Sequence, residues 1–285
     1  MKRKQILFLP LLLLLLLGLG LVAYPIVSSY YTERHQSQVY TQYQEVIEKA
    51  DGEELDTARA EAEAYNELLA SGAAAAELEA LDYDSLLNLA GNGIMGYIEI
   101  PAIDVLLPIY HGVDEDSLEH GAGHMPTTSL PIGGKGTHTV ISAHSGMATA
   151  RMFTDLERLE AGDVFYLHVL NEALSYEVDQ ILVVKPYQID ALKIDAEQDY
   201  VTLVTCTPYG VNSHRLLVRG HRIKPEAEEN ASNEIASLQA EPKQSTWMDK
   251  YWEGIRDGLI LFLLVIPVWL AIMLLVKKRR GRKQP

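Results

Sequence analysis

The chain has a single cysteine, Cys206, in 285 residues, so no disulfide can form within it. A lone thiol is either a small buried hydrophobe or a candidate nucleophile, and its surroundings decide between the two. Basic residues are scarce where nucleic acid would need them. Nine of the 24 Lys and Arg residues crowd the two chain ends, Lys2 to Lys4 and Lys277 to Lys283. The remaining 15 share the intervening stretch with all 39 Asp and Glu residues, which gives that stretch a formal charge of −24. Binding of nucleic acid rests on Lys and Arg meeting phosphates, so no nucleic-acid partner is expected. A phosphate-cradling glycine loop is missing too. Gly133-Gly134-Lys135-Gly136 lacks the Walker spacing and a following helix, and reads as a hairpin loop. His120 and His124 lie four apart, but no H-E-x-x-H glutamate accompanies them. Gly121 and Gly123 between them disfavour the helix that a zinc pair of this spacing needs. No internal repeat is present.

Two long apolar runs frame the chain. The first, Ile6 to Val27, follows the basic start; the second, Gly258 to Val276, precedes the basic end. About 20 apolar residues suffice for a membrane-spanning helix, and both runs reach that length despite Pro10 and Pro267. Residues 1–27 read as either a signal anchor or a cleaved signal peptide. Residues 258–276 read as a transmembrane helix, and 277–285 as a basic cytoplasmic tail. Positive charge stays on the cytoplasmic side, so everything between the two runs is expected outside the cell membrane.

Between the runs the texture changes twice. Residues 28–92 read as helical, with Tyr40, Tyr43, Val46 and Ile47 at three- and four-residue steps, then Tyr65, Leu68 and Leu69. This segment has strong helix propensity but too little apolar surface for a core of its own, so it is expected to pack as an arm. A turn signal, Gly91-Asn92-Gly93, opens a region over 93–224 that reads as strands: 94–103, 105–111, 139–144, 164–170, 174–185, 200–207 and 214–223. Short helices fit at 117–120 and 152–159. Seven or so strands with few helices argue a β-barrel or sandwich. Residues 225–257 are polar and read as a linker.

The chemistry gathers at strand ends. Thr202, Val204 and Cys206 share one strand face, and Thr207-Pro208-Tyr209-Gly210 then breaks the strand. A nucleophile there stands on a rigid element yet stays reachable. The next strand begins near His214-Arg215, so a hairpin returns Arg215 alongside Cys206. Thiol catalysis needs a proton carrier and a donor for the oxyanion of the tetrahedral intermediate. Arg215 suits the second need. His144, at the end of Thr139-Val140-Ile141-Ser142-Ala143 and before Ser145-Gly146, suits the first. His214 could also line such a site.

These residues resemble the sortase family. Thr202-Leu203-Val204-Thr205-Cys206 matches its Thr-Leu-x-Thr-Cys signature, Arg215 falls where sortases keep their arginine, and Ser142-Ala143-His144-Ser145-Gly146 resembles the segment around their histidine, with Ala143 where Gly is common. The resemblance covers about Gly93 to Ile223 and implies a mainly β fold: an eight-stranded sortase-type barrel with a few short helices, a helical N-terminal arm and two flanking transmembrane helices. Asn92 to Pro101, the run from Cys206 to Arg215 and the second apolar run resemble class C, the pilin polymerases of Gram-positive bacteria. By that resemblance, Cys206 is the nucleophile that forms an acyl thioester, His144 the general acid/base and Arg215 the oxyanion stabiliser. The implied activity is cleavage of an LPXTG-like sorting signal between Thr and Gly, then transfer to an amine, a pilin lysine in class C. Substrates are pilins or surface proteins with C-terminal sorting signals, and no cofactor or metal is called for. Anchoring of proteins to peptidoglycan and a silent membrane-held scaffold are the alternatives. One departure stands out. Class C enzymes carry an Asp-Pro-aromatic lid motif, and residues 28–93 contain none; Asp82-Tyr83-Asp84 is the nearest fragment.

Overall fold

The computed structural model describes residues 38–72, 81–147 and 150–223, with scattered positions in 16–36, 77–78 and 254–258. Contacts divide the chain into two compact units, Met1–Gln244 and Ser245–Pro285. Of the second, residues 254–256 and 258 are described, and they are helical. Among the described residues no helix is long and apolar enough to cross a membrane. The two runs expected to do so, 6–27 and 258–276, lie for the most part outside the described residues.

Eight strands make a closed barrel: β1 (Ile94–Ile100), β2 (Val105–His111), β3 (Ala122–His124), β4 (Thr137–Ser142), β5 (Val164–Val169), β6 (Glu172–Val184), β7 (Asp199–Thr207) and β8 (His214–Arg222). Around the wall they run β1-β2-β3-β4-β7-β8-β6-β5. Closure leaves no strand edge to template aggregation. The pairs β2/β3 and β4/β7 are parallel and the rest antiparallel.

The strand missing from the sequence reading is β3. Its three residues, Ala-Gly-His, are too few to show a period of two. The strand expected over 94–103 stops at Ile100, because Pro101 has no amide to donate and opens a 3-10 turn, Pro101–Ile103. The strand expected over 139–144 begins earlier, at Thr137, and ends at Ser142, leaving His144 in the connection that follows. The helix expected over 152–159 is a 3-10 turn, Thr154–Arg158. Residues 38–49 are helical, and two further helices follow, α1 (Gly52–Ala70) and α2 (Glu115–His120). Each is capped by an aspartate, Asp51 accepting from Glu54 N–H and Asp114 from Ser117 N–H.

Strand alternation builds two apolar layers on the wall that bears β4, β7 and β8. Ile141, Val201, Leu203, Leu216 and Val218 belong to the barrel interior. Val140, Val204 and Leu217 form a second cluster on the outer face, packed by Leu182, Val184, Ala191 and Leu192 from β6 and the segment after it. Both faces of these strands are therefore buried at mid-strand.

The N-terminal arm is clasped rather than merely apposed. Tyr43, in helical residues 38–49, is buried; its hydroxyl donates to Met95 O at 3.1 Å and accepts Leu170 N–H at 2.9 Å. Burial pushes this phenol up to about 12. Asn66 of α1 closes a two-way bond with Leu130, accepting its N–H at 2.6 Å and donating to its carbonyl at 3.2 Å.

The segment between α1 and β1 hooks onto the barrel through histidines. The Tyr83 hydroxyl accepts Gly112 N–H at 3.2 Å and lies 2.7 Å from His124 Nδ1, while His124 Nε2 lies 2.9 Å from Ser129 O. The carbonyl can only accept, so Nε2 carries the proton and Nδ1 accepts from Tyr83. Full burial holds His124 down to about 4, below its ordinary 6.5. As pH falls from 6.5 to 4 the unfolded chain takes up this proton and the folded one does not. Stability is therefore expected to drop by about 3 kcal/mol across that window. Urea titrations of the full-length protein at stepped pH check this, with His124→Gln as the reference that lacks this contribution; equal slopes for the two proteins would refute it.

Candidate active site

Cys206 is the last outward-facing residue of β7, two positions beyond Val204 of the outer cluster. Pro208 then ends the strand, since it has no amide for the ladder. Cys206 is partly exposed, and it is free. The β7–β8 ladder makes Cys206 and Arg215 Cα partners. Directly opposed residues on antiparallel strands project to the same side, with Cβ atoms about 5 Å apart. Arg215 Nη1 donates to the carbonyls of His214 at 3.1 Å and Asn212 at 3.3 Å. No carboxylate among the described residues forms an ion pair with it. The guanidinium is thus oriented by the β7–β8 turn and keeps donors to spare.

On the other side of β7 stands the extension of β4. Ser142 and Val204 are Cα partners, and the association continues past the strand's end. Ala143 N–H donates to Val204 O at 3.1 Å, and Thr205 Oγ1 donates to Ala143 O at 2.8 Å. Ser145 Oγ donates to Cys206 O at 2.5 Å. His144 lies between residues 143 and 145, so bonds to β7 on either side hold its backbone. Cys206 is accordingly flanked by Arg215 on one neighbouring strand and by the His144 segment on the other.

The notch at the nucleophile is lined by Ser145, Thr154, Glu157, Thr205, Cys206, Thr207, Tyr209 and Leu216. Gly146 has a left-handed φ of 76°, and the Tyr209 ring packs where its side chain would stand, 3.1 Å from an ideal Cβ. Any side chain there meets both strain and a ring. Among the described residues, none from the N-terminal arm lines this notch. Asp82-Tyr83-Asp84 is engaged elsewhere, with Tyr83 packed against His111 and His124.

Other candidates fall apart. His214 pairs with Thr207 and so faces away from the Cys206–Arg215 side of the ladder. His120 ends α2, and its Nδ1 lies 2.8 Å from Asp116 O, whereas His124 is buried in β3 with both nitrogens engaged. Among the described residues, no three His, Cys, Asp or Glu side chains converge as a metal would require. Sequence reasoning missed Ser145 as a clamp on the Cys206 carbonyl; only the register of β4 against β7 reveals it.

Comparison with known proteins fits this constellation. The Sortase domain model matches residues 98–223. Sortase C1 from Streptococcus agalactiae superposes with a TM-score of 0.63 and 42% identity, covering 66% of this chain and 98% of that structure. This chain belongs to the sortase family. Sortase C from Clostridium perfringens, solved with the C-terminal cell wall sorting motif, is 45% identical with a TM-score of 0.59, over 66% of this chain and 99% of its own. Sortase C from Streptococcus pneumoniae is 41% identical with a TM-score of 0.57, over 66% and 97%. Sortases are cysteine transpeptidases, and Cys206 is the only thiol this one has.

Proposed function

We propose that this sortase is a pilin polymerase held at the cell membrane with its barrel outside. Cys206 cleaves an LPXTG-like sorting signal between Thr and Gly and passes the acyl group to a lysine of the next pilin subunit. The observation that carries the reading is the flanking of one free thiol by Arg215 and the His144 segment. In the first step Cys206 Sγ attacks the threonine carbonyl carbon, and Arg215 donates to the oxyanion. Collapse breaks the Thr–Gly bond as His144 gives its proton to the departing glycine amine, leaving a thioester. In the second step a lysine amine attacks that thioester while His144 accepts its proton; the Cys206 thiolate departs and an isopeptide bond remains. One amide replaces another, so no nucleotide is consumed.

The surroundings suit such a substrate. Exposed apolar side chains sit on the two connections that flank β7: Ile189 between β6 and β7, and Val211 in the β7–β8 turn. They offer an apolar rim for the leucine and proline of a sorting signal. The resemblance to sortase C enzymes, one solved with a sorting motif and one bearing on pilin substrate specificity, supports the pilin over the peptidoglycan acceptor. The flanking apolar runs and their basic ends support the membrane assignment.

The test offers the full-length enzyme a sorting-signal donor with purified pilin in one arm and a cell-wall stem peptide in the other. Ligation to pilin lysine is expected. Exclusive ligation to the stem peptide would reassign the enzyme to cell-wall anchoring.

A further inference from the structure

The loop that follows β4 closes on itself immediately behind His144. Phe153 N–H donates to His144 O at 2.9 Å, and Gly146 N–H donates to Thr154 Oγ1 at 3.0 Å. One cation ties this loop to the rest of the barrel. Arg151 Nη1 lies 3.2 Å from Asp104 Oδ2; Nη2 donates to Ile103 O at 3.2 Å and to Asp155 Oδ2 at 3.3 Å. Ile103 and Asp104 form the turn between β1 and β2, and Asp155 lies in the 3-10 turn after the loop. The β1–β2 turn and the 3-10 turn therefore meet on one guanidinium.

The two carboxylates are not equivalent. The Asp104 side chain is 80% exposed, and water screens its attraction. The Asp155 side chain is 2% exposed, so its charge-assisted bond to Arg151 is the stronger. Next to Arg151, Met152 holds a left-handed φ of 45° and is buried, as is Phe153. A non-glycine residue stays in that region only where its surroundings fix it. The Arg151 bonds on one side and the burial of Met152 and Phe153 on the other supply that fixation.

We propose that Arg151 is a positioning residue for the transfer reaction: its bonds to Ile103, Asp104 and Asp155 set the loop that closes on His144, and so set where His144 stands beside Cys206. The proposal rests on the reading of His144 as the acid/base. It concerns no contact with substrate, and its effect belongs on the chemical steps rather than on binding.

The test is Arg151→Met in the full-length protein, read by thioester formation with a sorting-signal peptide and by amide exchange at Phe153. Small displacements of a reacting group cost steeply, so kcat is expected to fall about tenfold to a hundredfold with KM within about twofold. Phe153 exchange is expected to quicken, and the limb of the pH–rate profile that reports His144 to shift. Arg151→Lys, which keeps the charge without the fork, is expected to recover part of the rate. A wild-type kcat in Arg151→Met, with only thermal stability lowered, overturns the proposal. So does faster Phe153 exchange with no change in kcat. If Arg151→Met does not fold, Asp155→Asn carries the test, since it keeps the side-chain volume and removes the charge of the buried partner. A drop of about threefold at unchanged KM supports the proposal, and wild-type turnover overturns it. His144→Ala run alongside separates the two ideas. Wild-type turnover there refutes the role of His144, while Phe153 exchange still reports whether Arg151 holds the loop.

Discussion

Cys206→Ala is expected to reduce thioester formation to background and to leave no pilus ladder in cells that depend on this enzyme. No second thiol exists in the chain to substitute. Cys206 is partly exposed at the end of a strand, so removing its sulfur opens no deep cavity. The change in folding stability is expected to stay within about 1 kcal/mol. Loss of activity will therefore be chemical rather than structural. Intact mass after incubation with a sorting-signal peptide reads the adduct directly, and a thermal melt reads the fold. Cys206→Ser is expected to recover almost nothing. A serine hydroxyl stays protonated near neutrality and is the weaker nucleophile, whereas a free thiol there is already a few per cent thiolate. Normal ladders from the alanine variant would sink the assignment of the nucleophile.

How much of this was legible beforehand follows from what each signal depends on. The β7–β8 hairpin is local: a period-two run, a Pro-Gly break and a second run fix its register within 24 residues, Asp199–Arg222. Cys206 opposite Arg215 is hence written in the chain. The place of His144 is less so. It depends on β4 lying parallel to β7, some 60 residues away, and parallel neighbours carry no turn to announce them. The histidine's motif was visible, but Ser145 gripping the Cys206 carbonyl was not. The arm's helices were legible from their spacing, while the grip of Tyr43 on Met95 and Leu170 spans more than 50 and 120 residues and leaves no periodic trace. Neither did the tie of Arg151 to Asp104, two unremarkable surface charges by composition. The absent Asp-Pro-aromatic motif, by contrast, was plain in the sequence.

Arg215→Ala is expected to lower kcat/KM for thioester formation by about a hundredfold to a thousandfold, the usual cost of losing an oxyanion donor. The alternative role for this cation is to favour the thiolate, and the two roles separate experimentally. Alkylation of Cys206 by a small neutral electrophile needs the thiolate but forms no oxyanion on a carbonyl. If Arg215 acts on the oxyanion, alkylation in the alanine variant should stay within about threefold of wild type while acylation collapses. The geometry favours that outcome. Nη1 is turned to the carbonyls of Asn212 and His214, which aims the remaining donors instead of leaving a mobile charge beside the sulfur. Arg215→Lys should then recover little, because an ammonium bonded to the same two carbonyls has few donors left and no planar fork to direct them. Equal losses in alkylation and acylation would instead assign Arg215 to the thiolate. A wild-type acylation rate in the alanine variant would remove it from the mechanism, leaving the oxyanion to backbone donors near Cys206.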